Sequence, residues 1–295
     1  DIHKLSKPEL PEMCGIAILA GLAVSSLAYA WFFPDALIET SAFLGTVLIA
    51  AGIGFIDDLH PFSARVKPLL TGLACLPILL LRTYNPLPTV PLVGTVRLTV
   101  VYPLLIPIAI AVTSNAVNMM DVMNGSMPGT AAIISFTATL ILLFAGETTI
   151  GALAAGLLGA VLAFYFFNRY PAKVFGGDTG SLAVGAALGA LSILGKIETV
   201  LIVALIPHIM NAFYGLSSVG RLYERRELSS RPIRVLDDGR LEASPEKDAP
   251  VTLARIILAP GSMTEGEVVR AMMILTLVSC IMAVVTYEIS LLGRI

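Results

Sequence analysis

Charge is what this chain has least of. Asp, Glu, Lys and Arg make up 14% of its 295 residues, hydrophobic types make up 56%, and the mean hydropathy is +0.86. A soluble domain carries about 25% charged residues, so that class is excluded and a polytopic membrane protein is expected. Cysteine is equally scarce. Cys14, Cys75 and Cys280 fall in apolar stretches without paired spacing, which excludes a disulfide framework and a thiolate metal site and leaves them as core residues.

The chain is rich instead in apolar runs long enough to span a bilayer. They lie at roughly 14–33, 41–56, 68–82, 100–118, 129–145, 149–167, 180–195, 197–219 and 269–291. The expected fold is therefore all-α, with about nine transmembrane helices. Residues 1–219 would form the transmembrane core, 220–268 a polar basic loop, and 269–295 the last helix. With nine spans, the segments 1–13, 57–67, 119–128, 168–179 and 220–268 share a face. Of 19 Lys and Arg, 15 lie on or border it, Lys7, Arg225 and Arg226 among them, against four elsewhere, including Arg294. That bias marks the face as cytosolic. The chain opens at Asp1 with polar sequence that reads like an interhelical loop, so an upstream segment is expected.

Two polar stretches stand out. The first, NRYPAKVFGGDTGS at 168–181, holds two positive charges, one carboxylate and three glycines. Backbone N–H groups at Gly176, Gly177 and Gly180 can approach an anion, and a helix opening at Thr179 would aim its positive end there. Asp178 would then meet a hard cation. An ordinary interhelical turn with an Asp N-cap accounts for the stretch equally well, so its neighbours must decide. The second, SNAVNMMDVMNG, places Asn115, Asn118 and Asp121 three residues apart on a slowly drifting helical stripe closed by Asn124 and Gly125. Such density exceeds what helix bridging needs.

Other positions complete the inventory. Asp57 and Asp58 end the second span, where the helix dipole disfavours negative charge, and Arg65 or Lys67 could compensate. Pro207, His208 and Asn211 in the eighth span read as interhelical hydrogen bonding. A hairpin is expected around Gly94 and another around Asp238-Gly239. The second would hold Arg231 and Arg234 as a rigid clamp for phosphate or sugar. VTLARIILAP reads as an amphipathic helix on the membrane, and Thr264 with Glu267 as the capping box of the last span. Taken together, carboxylates, amides, glycine N–H groups and basic residues converge on one face. Those are the parts of phosphoryl transfer, with one soluble substrate and one lipid phosphate.

These residues resemble the polyprenyl-phosphate N-acetylhexosamine-1-phosphate transferases, and within them the eukaryotic and archaeal branch that transfers N-acetylglucosamine-1-phosphate from UDP-N-acetylglucosamine (UDP-GlcNAc) to dolichyl phosphate. The likeness is carried by DIHKLSKPELPE, FIDD, SNAVNMMDVMNG, NRYPAKVFGGDTGS and RPIRVLDDGRLEAS. The family's ten spans imply that its first helix is absent from this chain.

The resemblance implies roles. Asn118 and Asp178 would bind Mg²⁺ or Mn²⁺, with Asp121 a further candidate. Asp57 and Asp58 would flank the lipid phosphate as base or organiser, and Lys67 would meet phosphate. Asn115 would belong to the substrate-binding stripe, Asn124, Phe175 and Gly176 would hold the uridine side, Glu12 would line the nucleotide pocket, and Arg231 or Arg234 would contact sugar or diphosphate. The partners implied are UDP-GlcNAc, dolichyl or polyprenyl phosphate and membrane lipid, with room for a homodimer and no part for nucleic acid.

The implied setting is the first step of lipid-linked oligosaccharide synthesis for N-glycosylation. It would take place in an archaeal cytoplasmic membrane, the reading preferred here, or in the endoplasmic reticulum. The bacterial branches carry a histidine cluster in the last cytosolic loop, whereas His3, His60 and His208 all lie elsewhere, which argues against a muramyl-pentapeptide donor. Val122 also stands where the bacterial motif commonly has glycine. Three alternatives remain: the same reaction with another UDP-N-acetylhexosamine, a transporter, and a non-catalytic lipid-binding relative.

Overall fold

The computed structural model describes residues 4, 9–222, 228 and 230–292. Lys7, Arg225, Arg226 and Arg294 of the charge bias, and His3, lie outside them. The fold is helical throughout, in the order α1 (Ile16–Phe32), α2 (Leu37–Leu59), α3 (Val66–Leu73), α4 (Leu76–Leu80), α5 (Tyr102–Met120), α6 (Ser126–Phe144), α7 (Thr148–Asn168), α8 (Gly177–Leu194), α9 (Glu198–Ala204), α10 (Ile206–Val219), α11 (Leu253–Ile257) and α12 (Glu265–Leu292). Two small antiparallel hairpins interrupt it: β1 (Thr89–Val90) with β2 (Gly94–Thr95), and β3 (Ile233–Val235) with β4 (Leu241–Ala243).

Every apolar run of the sequence falls on one of these helices or on a consecutive pair. Six of the described helices are long and apolar enough to cross a membrane, seven if a bent pair counts as one span. That pair is α9 and α10, which meet at 65°. Pro207 stands in the first turn of α10, and Pro77 likewise opens α4 after α3. Each ring removes an N–H that an unbroken helix would need, so the chain divides there. Trp31, Phe32, Leu80, Phe144 and Ile281 stay exposed, as side chains facing lipid should.

At the centre is α8, whose apolar window is 89% buried against 33% for α12. Lipid tails are as apolar as leucine, so helices in a bilayer associate by close packing of small residues. The glycines show it: a Cβ on Gly15 would lie 2.3 Å from the Gly180 Cα, one on Gly54 2.3 Å from the Asp178 carbonyl oxygen, and one on Gly185 2.5 Å from the Ser114 Cα. Backbone therefore meets backbone where α1, α2 and α5 cross α8. Such contacts leave little freedom in how the helix ends are placed.

One end of the bundle carries a smaller apolar cluster. Met120 and Met123, at and after the end of α5, pack with Leu241, Leu253, Ala254, Leu258, Val268, Val269 and Met272. This seats the β3–β4 hairpin and α11 on α5 and α12. The hairpin turns as the Asp238-Gly239 pair predicts: Gly239 has φ +80, and the Asp238 carboxylate accepts from the Arg240 N–H at 3.0 Å. The capping box forms reciprocally. The Thr264 N–H donates to the Glu267 Oε2 at 2.7 Å, and the Glu267 N–H to the Thr264 hydroxyl at 3.3 Å. The segment read as amphipathic is helical only over the five residues of α11, which rests Leu253 and Ala254 on this cluster.

Candidate active site

The last turn of α2 presents two carboxylates to a helix end that repels them, and each meets a different compensating charge. Asp57 is buried. Its Oδ2 lies 2.7 Å from the Lys67 Nζ, and its Oδ1 accepts the Phe62 N–H at 2.6 Å. Lys67, in the first turn of α3 and also buried, reaches the Asp178 Oδ2 at 2.8 Å. One ammonium thus joins carboxylates from two helices that lie 121 residues apart in sequence at Asp57 and Asp178. A buried charge of either sign persists only when paired in this way.

Asp58 turns to α8. Its Oδ1 accepts the Asp178 N–H at 2.8 Å, and its Oδ2 accepts the Thr179 N–H at 3.0 Å and the Thr179 hydroxyl at 2.6 Å. These are donors that the first turn of a helix leaves without intrahelical acceptors. α8 opens at Gly177 rather than Thr179, and its N-cap residue, Gly176, has no side chain to offer. Gly177 has φ +67, and a Cβ there would fall 2.7 Å from the Asp58 Oδ2. The sequence suggested a phosphate at this helix end or Asp178 as its cap. Instead, the anion against it is the carboxylate of Asp58, reaching across from α2.

The asparagine stripe divides. Three residues along a helix fall about 60° short of a full turn, so successive members drift onto different neighbours. Asn118 faces α8, its Nδ2 donating to the Asp178 Oδ1 and the Ser181 Oγ, both at 2.8 Å. Asn115 faces α3, donating to the Thr71 Oγ1 at 2.8 Å, and so acts as a strut beside the site. Asp121 lies just past the end of α5. Burial pushes its carboxyl up to about 7, and the Asp178 charge adds to the shift.

The flanking loops are tied to one another. The Asn124 N–H donates to the Glu265 Oε1 at 2.7 Å. Asn168 accepts from the Gly125 N–H at 3.0 Å and donates to the Val174 carbonyl at 2.8 Å. The Phe175 N–H donates to the Pro11 carbonyl at 2.8 Å, and the Gly15 N–H to the Gly176 carbonyl at 3.0 Å, which brings the Glu12 segment beside Phe175 and Gly176. Arg234 pairs with Glu242 across the β3–β4 hairpin, and Arg231 is exposed just before it. Hence Asp57, Asp58, Lys67, Asn118 and Asp178 form one cluster, Asp121 adjoins it, and Glu12, Asn124, Phe175 and Gly176 lie in its bordering loops.

Sequence reasoning gave no role to Ser181, Glu265 or Asn168, and took Thr179 only as the opening of a helix. Ser181 and Thr179 share the first turns of α8 with Asp178, a signal that was available. Glu265 directly follows the capping Thr264 and reads as one more first-turn acid. In the eighth span, Asn211 joins the Met119 carbonyl to the Leu253 N–H, both at 2.8 Å, and His208 bonds the Thr130 hydroxyl at 3.0 Å, as an interhelical role predicts.

The donor chemistry suits a hard divalent cation. Asp57 and Asp178 share the one ammonium of Lys67, and two carboxylates against one cation leave an excess of negative charge. With the Asn118 Nδ2 engaged, its Oδ1 is the atom a cation would meet. Among the described residues no three His, Cys, Asp or Glu side chains are grouped to hold a metal by themselves. A cation held here would be of the Mg²⁺ kind, taking one or two carboxylates and filling its shell with water and substrate phosphate.

Residues 40–196, the segment carrying Asp57, Asp58, Lys67, Asn118 and Asp178, match the family described as Glycosyl transferase family 4. A Saccharolobus solfataricus protein, provisionally named a UDP-N-acetylglucosamine–dolichyl-phosphate N-acetylglucosaminephosphotransferase, is 30% identical over 82% of this chain and 80% of its own length. A Methanocaldococcus jannaschii protein, provisionally named a glycosyltransferase, is 30% identical over 93% of this chain and 83% of its own. A phospho-N-acetylmuramoyl-pentapeptide-transferase of Anoxybacillus flavithermus is 35% identical over 67% of this chain and 64% of its own.

Proposed function

The chain belongs to glycosyl transferase family 4, and from that premise we propose that it transfers N-acetylglucosamine-1-phosphate from UDP-GlcNAc to a dolichyl-type polyprenyl phosphate, releasing UMP. The observation that carries this reading is the convergence of Asp57, Lys67, Asn118 and Asp178 at one end of a bundle of apolar helices. A water-soluble nucleotide sugar and a lipid phosphate can meet there without either leaving its own phase. The name of the Saccharolobus relative supports the donor and acceptor. The absence of histidine from the last polar loop sets the chain apart from the muramyl-pentapeptide reading.

In this reaction an oxygen of the lipid phosphate attacks the β-phosphorus of UDP-GlcNAc. The bond from that phosphorus to the oxygen bridging it to the α-phosphorus breaks, and UMP leaves with the bridging oxygen. The acceptor is already mostly ionised at neutral pH, with a second pKa of about 6, so a strong base is hardly needed and a single displacement suffices. Lys67 neutralises the acceptor phosphate, and Asp57 holds the Lys67 ammonium in place. Asp178 and Asn118, with Asp121 beside them, would hold Mg²⁺ or Mn²⁺, which when bound supplies charge neutralisation at the donor diphosphate.

Phe175, Gly176, Glu12 and the Asn124 loop would hold the uridine side, and Arg231 or Arg234 would contact the sugar or diphosphate. The charge bias supports a cytosolic face, where the product would begin a lipid-linked oligosaccharide for N-glycosylation. The test is UMP release and glycolipid formation by the purified protein with Mg²⁺, dolichyl phosphate and UDP-GlcNAc, run beside UDP-GalNAc and UDP-MurNAc-pentapeptide. Turnover with UDP-GlcNAc alone is the expected result. Turnover only with another donor moves the sugar assignment, and none with any donor overturns the reading.

A further inference from the structure

The geometry points to Asp58 as a positioning residue that caps α8 from a neighbouring helix and thereby sets the place of Asp178. Three observations carry this. Both carboxylate oxygens are taken up by the first turn of α8, through the Asp178 N–H, the Thr179 N–H and the Thr179 hydroxyl, at 2.6 to 3.0 Å. No residue local to α8 does that work, because the N-cap is Gly176 and supplies no side-chain bond. The backbone is also shaped to admit the visiting carboxylate. Gly177 takes φ +67, and a Cβ on it would stand 2.7 Å from the Asp58 Oδ2, closer than real Cβ atoms come, and 3.0 Å from the Oδ1.

The consequence concerns Asp178. A carboxylate that receives the N–H of Asp178 itself fixes the backbone from which the Asp178 side chain departs toward Lys67 and Asn118. It also satisfies the helix dipole, so that α8 can end inside the site without attracting a second anion. Asp57 and Asp58, adjacent in sequence and alike in chemistry, therefore have separate tasks. Asp57 faces Lys67 and the reacting phosphate, and Asp58 acts through Asp178.

The inference rests on the proposed phosphosugar transfer and is tested by a measurement independent of turnover. Mn²⁺ affinity, read by electron paramagnetic resonance titration of the purified protein, is compared for wild type, Asp58→Asn, Asp58→Ala and Gly177→Ala, alongside UMP release. Asparagine offers one acceptor oxygen where aspartate offers two, and turns an NH₂ donor against the N–H of Asp178 or of Thr179. Asp58→Asn is therefore expected to weaken Mn²⁺ binding by less than Asp58→Ala does, with turnover falling in step with it. Asp58→Ala and Gly177→Ala are expected to weaken Mn²⁺ binding by about 10- to 100-fold, the range found when a group supporting a metal ligand is removed.

The decision rests on Asp58→Asn, so it survives a failure of the alanine variants to fold. Loss of its turnover with Mn²⁺ affinity unchanged overturns the proposal, because Asp58 would then act directly on the reacting atoms. Retained turnover, or joint loss of turnover and Mn²⁺ binding, supports it. A wild-type protein that binds no Mn²⁺ overturns it too. A wild-type protein that binds Mn²⁺ but turns over no donor undoes the functional reading and leaves the affinity comparison to decide this one.

Discussion

The Lys67 ammonium stands 2.8 Å from the Asp178 Oδ2, joining the first turn of α3 to the first turn of α8. The same nitrogen is 2.7 Å from the Asp57 Oδ2. Lys67→Met leaves the buried Asp57 carboxylate and the half-buried Asp178 carboxylate facing each other without their shared cation. It is expected to destabilise the protein by about 3 kcal/mol or more and to lower kcat by about 10²-fold or more. Adding Asp57→Asn should recover part of the stability and none of the activity. Thermal unfolding and UMP release on the single and double variants check both halves.

Asp178→Asn keeps the shape of the side chain and removes its charge. Turnover is expected to fall by more than about 10³-fold, because charge stabilisation is the largest single contribution to phosphoryl transfer. The elution volume and melting temperature should stay close to wild type. Full activity in this variant would sink the assignment of Asp178 to a cation. A chelator should likewise stop the wild-type reaction, and added Mg²⁺ or Mn²⁺ should restore it.

Two glycines two residues apart on α2 provide an internal control for the packing argument. A Cβ on Gly54 would lie 2.3 Å from the Asp178 carbonyl oxygen, whereas one on Gly52 meets nothing within 4 Å. Gly54→Ala is expected to cost about 1 to 3 kcal/mol through overpacking and to reduce activity by displacing Asp178. Gly52→Ala should be neutral or stabilising by up to about 1 kcal/mol, the helix propensity difference. Equal effects in the two variants would refute the close α2–α8 contact.

On the β3–β4 hairpin, Arg234 pairs with Glu242 at the surface. Exposed pairs contribute about 0 to 1 kcal/mol, so Arg234→Ala should barely move the melting temperature. If Arg234 contacts the donor, the same variant raises KM for UDP-GlcNAc by about tenfold, one hydrogen bond to a charged group, while Glu242→Ala does not. Parallel changes in both variants would assign the pair to hairpin structure instead.

Much of this protein was legible in the amino-acid sequence because the relevant physics is local. Hydropathy along the chain placed the apolar helices, though six or seven of them rather than nine are long enough to span among the described residues; Asp238-Gly239 announced the hairpin, and Thr264 with Glu267 announced the start of α12. The composition of 168–181 and 115–124 marked the site because charges and amides in an apolar chain need a reason to be there. What the tertiary structure alone decided is which group meets which.

Asp57 and Asp58 are indistinguishable in sequence, yet one meets Lys67 and the other caps a helix 120 residues away. Asn115 and Asn118 share a stripe, yet face different helices. Partner choice depends on where helices cross, and the crossings here are set by backbone contacts at Gly15, Gly54 and Gly185 with residues far along the chain. The sequence by itself determined the helices and the stock of chemistry at their ends. Packing of small residues against one central helix determined how that stock became a site.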